Sequence, residues 1–298
     1  MRVAVVQKRT TYRKFVVEEH DPLLARLLRR RDPTVMRIRS SHEAHEETVR
    51  EVDAALATLG VEAVFRGGPR GRIPSRIDLV VTIGGDGTLL AASHQIGDGV
   101  PLLGINSAPD HSIGFFCGGK KGNVLSTLRR ALDGRLPTSE LARMRVDLNG
   151  KTLNARVLNE ALFCHASPAA TSRYILRITR TNGTFVEEDV RSSGLWIGPA
   201  AGSTAAQRSA GGNVLPLGSK RIQYVVREPY RPIGKRIRFH VGLLDAEGKL
   251  TLRSKIRDGR VFVDGHRIAH VVTIGDVLVM RRSAESLTVL GLATKRRT

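Results

Sequence analysis

Aromatic side chains are scarce in this 298-residue sequence: Phe, Tyr and Trp together supply 4% of it, with a single Trp. A stacking platform for single-stranded nucleic acid needs aromatic faces in series, so this chain is poorly equipped for one. Its cores have to be built mainly from Val, Leu, Ile and Ala. Cysteine is scarcer still, with only Cys117 and Cys164. They form no CxxC or metal-ligand spacing, which excludes a disulfide framework and fits a reducing compartment. No apolar run approaches the roughly 20 residues needed to cross a bilayer, and the apolar start Val3 to Val6 is too short for a secretory signal. A cytoplasmic protein without a membrane partner is expected.

Acidic residues are outnumbered, 28 against 48 basic, for a formal net charge of +20. Arg supplies 38 of the 48, and its planar fork suits bidentate phosphate contacts, so anionic partners are expected. The basic runs Arg29-Arg30-Arg31 and Arg296-Arg297 are short and read as solvated. With no long basic tail and few aromatics, no specific nucleic-acid partner is expected.

What is present divides the chain in two near residues 137 to 145. Before that boundary, strands alternate with helices. Val3 to Val6 reads as a buried strand, and Glu43 to Leu59 carries apolar residues at helical spacing (Val49, Val52, Leu56, Leu59) up to Gly60. Val61 to Phe65 and Asp78 to Ile83 read as strands, separated by a basic glycine-rich loop from Arg66 to Pro74. A helix to about Ile96 and a strand Pro101 to Asn106 follow. Such alternation implies a parallel sheet, whose ligands sit at the carboxyl ends of its strands. After Arg145, short alternating strands are broken by Asn149-Gly150, Asn182-Gly183, Glu247-Gly248 and Asp264-Gly265, which read as hairpin turns of a mostly antiparallel β domain. Asp189 to Arg208 lacks such a signal and is rich in Gly, Ser and Ala. It reads as the functional loop of this half.

Three segments could carry chemistry. The first is Gly84-Gly85-Asp86-Gly87-Thr88, between the apolar runs Leu79 to Ile83 and Leu89 to Ala92. A strand, a glycine turn and a helix start favour an anion such as phosphate, and Asp86 puts one carboxylate there, as if to hold a hydroxyl or a metal. The competing reading is a tight turn that Asp86 merely caps. The second segment is Asn159-Glu160 in an apolar strand, Arg156 to Phe163. Adjacent strand residues face opposite ways, so both reach one ligand only at a bulge or strand end. The third is Ser193 to Gly212, whose small residues let a ligand lie against the backbone while Ser203 and Thr204 offer hydroxyls at a helix start. Trp196 reads as core. His42 and His45 share a helix face without a third partner, so no metal site is expected there. His94 and His266 read as structural.

The order Gly84-Gly85-Asp86-Gly87-Thr88, Asn159-Glu160, Ala201-Gly202-Ser203-Thr204-Ala205 and Ser209-Ala210-Gly211-Gly212 resembles the NAD kinase family across most of the chain. Diacylglycerol and sphingosine kinases share the glycine loop alone; the other two segments at compatible distances narrow the match. Val261-Phe262-Val263-Asp264-Gly265, followed by Gly275-Asp276-Val277, is similar to the family's last β hairpins. The resemblance implies transfer of the γ-phosphate of ATP, or in some members polyphosphate, to the 2′-hydroxyl of the adenosine ribose of NAD, with Mg²⁺. It implies that Asp86 holds that hydroxyl and accepts its proton. The amides of Gly84, Gly85, Gly87 and Thr88 would contact phosphates, Asn159 and Glu160 would contact the dinucleotide, and Gly202, Ser203, Thr204 and Ala205 would line its pocket.

The chain departs from the common family pattern at Ser193, where many members carry Asp, and at Ala206, where many carry Tyr. Plant NADH kinases look similar in having the Ala-Ala-Gly-Ser-Thr-Ala-Ala form, so NADH is expected to be accepted as well as NAD. The expected architecture is an α/β nucleotide-binding domain with a parallel sheet, residues 1–140. A mostly antiparallel β-sandwich for dinucleotide binding and oligomerisation follows, residues 141–298, with its tail returning to the first domain. The active site is expected between them and the assembly is expected to be a homodimer or homotetramer. The rivals are a lipid kinase of the same superfamily, for which no amphipathic basic helix is visible, and a non-catalytic nucleotide-binding paralogue, against which the retained Asp86 speaks.

Overall fold

The computed structural model describes residues 1–69, 71–230 and 238–292. The chain forms two compact units, Met1–Ser139 joined by the return of the chain from Leu287, and Glu140–Ser286. Of the sequence expectations, Arg296-Arg297 and the end of the C-terminal tail lie outside the described residues.

In the first unit, β1 (Val3–Gln7), α1 (Pro22–Arg29), α2 (Met36–Thr58), β2 (Ala63–Gly67), β3 (Leu79–Gly84), α3 (Asp86–Ser93), β4 (Leu102–Asn106), β5 (Cys117–Lys120) and α4 (Val124–Leu132) follow in order. The strands pair in parallel in the order β2-β1-β3-β4-β5. Every residue of β3 and β4 is buried, as expected for central strands covered on both faces. α2 buries His45, Thr48, Val52, Ala55 and Leu56, a stripe at the three- and four-residue spacing of a helix lying on a core. It starts seven residues before the expected Glu43 because Met36 to Ser41 carries no apolar period to read. α3 stops at Ser93, short of Ile96, where the Ser93 hydroxyl bonds back to the Leu90 carbonyl at 2.8 Å. Arg66 and Gly67, expected in a loop, close β2 instead.

α1, β5 and α4 were not legible as elements. α1 has Pro at its start and an Asp21 side chain that accepts the Leu24 N–H at 3.0 Å, a strong cap. β5 reads Cys-Gly-Gly-Lys, a turn by composition. It forms a strand because bare glycine lets it lie close to its neighbours: a Cβ on Gly119 would sit 2.7 Å from Ile105 Cδ1.

The second unit contains β6 (Thr138–Leu148), β7 (Lys151–Val157), β8 (Ala161–His165), β9 (Ser172–Thr179), β10 (Phe185–Ser192) and β11 (Gly194–Pro199). A 3₁₀ turn at Ala200–Thr204 leads to α5 (Ala206–Ser209), then β12 (Ile222–Arg227), β13 (Val241–Leu244), β14 (Lys249–Ser254), β15 (Gly259–Val263), β16 (Ile268–Val272) and β17 (Val277–Leu290). One antiparallel sheet has the order β13-β12-β11-β8-β15-β16, and a second antiparallel array runs β10-β9-β14-β17. Phe163, Ile197, Tyr224 and Val261 of the first sheet join Tyr174, Leu176, Leu250 and Leu278 of the second array in one buried cluster. Inward-facing residues of two sheets fill a shared core in this way. The last residues of β17 belong to the first unit, where Val289 pairs in parallel with Leu102.

Several local expectations need correction. Asp189 to Arg208 is not one loop: half of it is the end of β10 and the whole of β11, and most of the rest is the 3₁₀ turn and the start of α5. Arg156 to Phe163 is not one strand, because Leu158–Glu160 separates β7 from β8. Glu247-Gly248 is not a hairpin, since β13 and β14 belong to different sheets. Asn149-Gly150 and Asp264-Gly265 do sit between paired strands with both residues at positive φ, the signature of a tight hairpin. Trp196 is only partly buried, with the Arg227 guanidinium 5.9 Å from its ring centroid.

Candidate active site

In the first unit the glycine loop ends β3 and opens α3, at the carboxyl edge of the parallel sheet. Gly84 and Gly85 are bare because the fold is tight there: a Cβ on Gly84 would lie 2.2 Å from Thr88 Oγ1, and one on Gly85 would lie 2.4 Å from Ser112 Oγ. Gly87 differs. It is exposed and a Cβ there would meet nothing within 4 Å, so packing does not demand glycine and the open space is available to a ligand. Thr88 is buried, and its N–H closes the first turn onto the Gly85 carbonyl at 2.9 Å.

Asp86 is the first residue of α3, yet its carboxylate does not cap that helix. One oxygen accepts the Phe115 N–H at 2.9 Å and the other the Phe116 N–H at 2.8 Å. Two main-chain donors therefore aim the carboxylate, and each oxygen keeps lone-pair capacity for a further donor. The donors lie on the loop between β4 and β5, which Asn106 organises: its Nδ2 donates to the Ser112 carbonyl at 2.8 Å, and its Oδ1 accepts the Ala108 N–H at 3.3 Å. Gly114, at φ +62°, lies so close to Asn106 that a Cβ would meet Nδ2 at 2.4 Å. Sequence reasoning missed this loop, whose only signal was a glycine before two Phe residues. Beneath it His45 is buried and shares a 2.9 Å hydrogen bond with Ser107 Oγ. Burial, with the charge of Lys8 adding to it, pulls the His45 imidazole down to about 4. Cys117 is pushed up to about 12 by burial and then by the Asp86 charge, so it is an inert thiol at neutral pH.

In the second unit, Asn159 and Glu160 lie in the short connection between β7 and β8, the strand end that lets neighbouring side chains escape strict alternation. Asp264, in the turn between β15 and β16, holds this connection. Its Oδ2 accepts the Leu158 N–H at 2.9 Å, and its Oδ1 accepts those of Asn159 and Glu160 at 2.7 and 3.1 Å. Its own N–H donates to the Glu160 carbonyl at 2.9 Å. Read from sequence, Asp264 was only a turn former; nothing in a linear pattern shows that its carboxylate reaches a segment more than 100 positions away.

The side-chain atoms Asn159 Oδ1 and Glu160 Oε2 are buried without a hydrogen-bond partner, an arrangement that costs free energy unless something else supplies a donor. Burial first, and the Asp264 charge second, push the Glu160 carboxyl up to about 8. The carbonyl of Asn159 is packed from the other side by glycines: Cβ atoms on Gly198 and Gly202 would lie 2.1 and 1.9 Å from it. Two buried amides complete the support. Gln207 Nε2 donates to the Asn159 carbonyl at 3.3 Å, and Gln223 Nε2 donates to Gln207 Oε1 at 3.1 Å.

The Gly-Ser-Thr-Ala segment is the 3₁₀ turn itself. Ser203 is buried, donating its hydroxyl to the Ala200 carbonyl at 2.8 Å and accepting the Leu215 N–H at 2.9 Å. Its side chain therefore shapes the turn, while Thr204, Ala205 and Ala206 are only partly buried. Ser193 and the adjoining Cys164 and Arg227 line a separate cavity of about 300 Å³ in this unit. Among the described residues no group of three or more His, Cys, Asp or Glu side chains is arranged to hold a metal, and no helix is long and apolar enough to cross a membrane.

A family model described as the ATP-NAD kinase N-terminal domain matches residues 24–135. A probable NADH kinase of Oryza sativa subsp. japonica is 36% identical over 230 residues, covering 72% of this chain and 71% of that protein. An NADH kinase of Arabidopsis thaliana is likewise 36% identical over 230 residues, 72% of each chain. An NAD kinase of Methanosarcina mazei is 30% identical over 233 residues, 77% of this chain and 74% of that one. The crystal structure of an NAD kinase from Archaeoglobus fulgidus in complex with ATP shares the fold, with a TM-score of 0.68 at 21% identity over 100% of this chain and 95% of the other. With identity of this extent spanning both units and the same fold beneath it, the chain belongs to the NAD kinase family.

Proposed function

We propose that this protein transfers the γ-phosphate of ATP to the 2′-hydroxyl of the adenosine ribose of NAD and of NADH. The observation that carries the reading is the Asp86 carboxylate, gripped by two main-chain N–H groups at the edge of the sheet, next in sequence to the bare, exposed Gly87. A fixed carboxylate with spare lone pairs orients a hydroxyl for in-line attack and takes its proton late. That is what a loose phosphoryl-transfer transition state asks of a protein, since positioning and charge stabilisation do most of the work.

In this reading the amides of Gly84, Gly85 and Gly87 face phosphate, while Thr88, whose N–H is engaged by the Gly85 carbonyl at 2.9 Å, shapes the loop instead of donating its amide as the resemblance implied. Asn159 and Glu160 contact the dinucleotide through the buried side-chain oxygens that otherwise lack donors, and Gly202, Ser203, Thr204 and Ala205 shape the wall beside them. A Glu160 carboxyl raised to about 8 carries a proton at neutral pH and is able to donate a hydrogen bond as well as accept one. Acceptance of NADH rests on Ser193 and Ala206 and on the likeness to the two plant NADH kinases. Magnesium fits as an ion carried by the phosphates of the donor, where it neutralises charge, because no multi-carboxylate cage is present among the described residues. We assign residues 1–140 to nucleotide binding and 141–298 to dinucleotide binding and assembly as a homodimer or homotetramer. The two free cysteines support a cytoplasmic setting.

Purified protein incubated with ATP, Mg²⁺ and NAD or NADH is expected to form NADP or NADPH. Asp86→Asn is expected to lose at least about 10²-fold in kcat, the usual range for a positioned acid or base, with little change in KM. An undiminished Asn variant would reduce Asp86 to a turn residue, and a strong preference for NAD would remove the NADH assignment.

A further inference from the structure

The loop that grips Asp86 leaves β4 at Ser107, a buried residue held on all sides. Its N–H donates to the Gly84 carbonyl at 3.3 Å, two positions ahead of Asp86. Its carbonyl accepts the Thr48 hydroxyl at 3.1 Å, and its Oγ lies 2.9 Å from His45 Nδ1. Thr48 and His45 are neighbouring buried positions on one face of α2. Nearer the start of α2, Ser40 Oγ shares a 3.2 Å hydrogen bond with His111 Nε2. The helix therefore holds the loop both at its root and at His111, before the chain reaches the Phe115 and Phe116 amides that grip Asp86.

His45 is only 2% exposed, and a polar ring so deeply buried is costly unless it is hydrogen-bonded. Besides Ser107 it bonds the main chain of Lys8, just past the end of β1. Burial first, with the charge of Lys8 adding to it against the opposite pull of Glu46, keeps the ring neutral. A neutral imidazole has one N–H. With that proton committed to the Lys8 main chain, Nδ1 is left to accept the Ser107 hydroxyl. If α2 needed only to pack here, an apolar side chain would serve, as Val52, Ala55 and Leu56 do further along the same helix. An imidazole instead fixes the direction of one hydroxyl and joins β1 to the root of the loop.

We propose that His45 is a positioning residue for phosphoryl transfer: through Ser107 it fixes where the chain leaves β4, and so fixes the amides that aim Asp86. The inference rests on the kinase reading and adds to it a residue that touches neither substrate nor the reacting atoms. A carboxylate displaced by a fraction of an ångström still binds its hydroxyl but presents it badly, so the loss falls on turnover more than on binding.

The test compares His45→Leu, His45→Asn and Ser107→Ala, with Val52→Ala as a variant that weakens the same helix without touching Ser107. With ATP and NADH, His45→Leu is expected to lower kcat by about tenfold or more while both KM values stay within about twofold. Ser107→Ala should lose a similar factor. His45→Asn, which keeps an acceptor near the place of Nδ1, should recover part of the loss, and Val52→Ala should leave kcat near wild type below its melting temperature. Combined with Asp86→Asn, His45→Leu should cost little beyond Asp86→Asn alone, because the carboxylate it aims is already gone. Hydrogen exchange gives a readout apart from turnover: the Phe115 and Phe116 amides should exchange faster in His45→Leu than in Val52→Ala when each is compared at equal global stability. A fall in kcat of less than about threefold, full additivity with Asp86→Asn, or an equal loss in Val52→Ala overturns the proposal. Should His45→Leu fail to fold, Ser107→Ala takes its place under the same criteria. If wild type forms no NADP(H) at all, the kinase reading fails and exchange decides alone: faster exchange at Phe115 and Phe116 upholds the coupling of His45 to the Asp86 clamp, and unchanged exchange there overturns it.

Discussion

Replacing Asp264 by asparagine tests whether one turn residue organises the Asn159-Glu160 connection. Asp264 sits at φ +47°, which asparagine tolerates as well as aspartate does, so the change leaves the hairpin backbone unstrained. The carboxylate serves three main-chain N–H groups, two on Oδ1 and one on Oδ2. An amide keeps one oxygen for the Asn159 and Glu160 donors and turns an NH₂ toward the Leu158 N–H. One bond becomes a donor-to-donor contact and two lose their charge assistance. Hydrogen bonds to a charged group contribute about 1.5–3 kcal/mol and neutral ones about 1 kcal/mol. Since the three share one acceptor and the site is only partly buried, the net loss is expected to be about 2–4 kcal/mol. Urea unfolding reads the stability, and hydrogen exchange at Leu158, Asn159 and Glu160 reads the local effect, which should exceed that at β12. KM for NAD and NADH should rise more than kcat falls, because the carboxylate positions binding residues without touching the reacting atoms. Gly265, at φ +105°, supplies the control: Gly265→Ala strains the same hairpin and keeps the carboxylate. An Asp264→Asn protein within about 0.5 kcal/mol of wild type, with unchanged exchange at those amides, would refute the reasoning. So would a Gly265→Ala protein that reproduces the whole KM effect.

Two further predictions follow from the packing and the charge of the same loops. Gly202→Ala places a methyl 1.9 Å from the Asn159 carbonyl oxygen, so it should cost about 3 kcal/mol or more, as severe overpacking does; Gly87→Ala meets nothing within 4 Å and should match or exceed wild-type stability while losing activity. Equal melting temperatures for the two variants would contradict this. Glu160 is raised to about 8 from an ordinary 4.5, so the folded state holds a proton that the unfolded state releases. Stability is then expected to fall as pH rises from about 4.5 to about 8 and to level off above that. Urea unfolding of Glu160→Gln should lack this slope, and an identical slope in wild type and variant would disprove it.

Alternating buried strands and helices in the first half and hairpin turns in the second announced the fold class, since periodicity and turn chemistry are local properties. β5 escaped because Cys-Gly-Gly-Lys has the composition of a turn and becomes a strand only through close contact with β4. Asp189 to Arg208 misled for the opposite reason: small residues suggested a loop, but in β11 they allow close approach, as at Gly198 beside the Asn159 carbonyl. The motif residues were legible as residues, while the partners that aim them were not. Phe115 and Phe116 act through backbone N–H groups, which carry no side-chain signature.

By itself the sequence determined the family, the two-part architecture and the identity of the loop at Gly84 through Thr88, all of which depend on order, spacing and local propensity. Tertiary structure alone decided which groups hold that loop and its counterpart. Asp86 is turned from a helix cap into a carboxylate clamped by a loop some 30 positions away, and Asp264 is turned from a turn former into the anchor of Asn159 and Glu160 across more than 100 positions. Hydrogen bonds of such sequence separation exist only once both strands are in register. They are therefore properties of the folded chain and leave no pattern in the linear one.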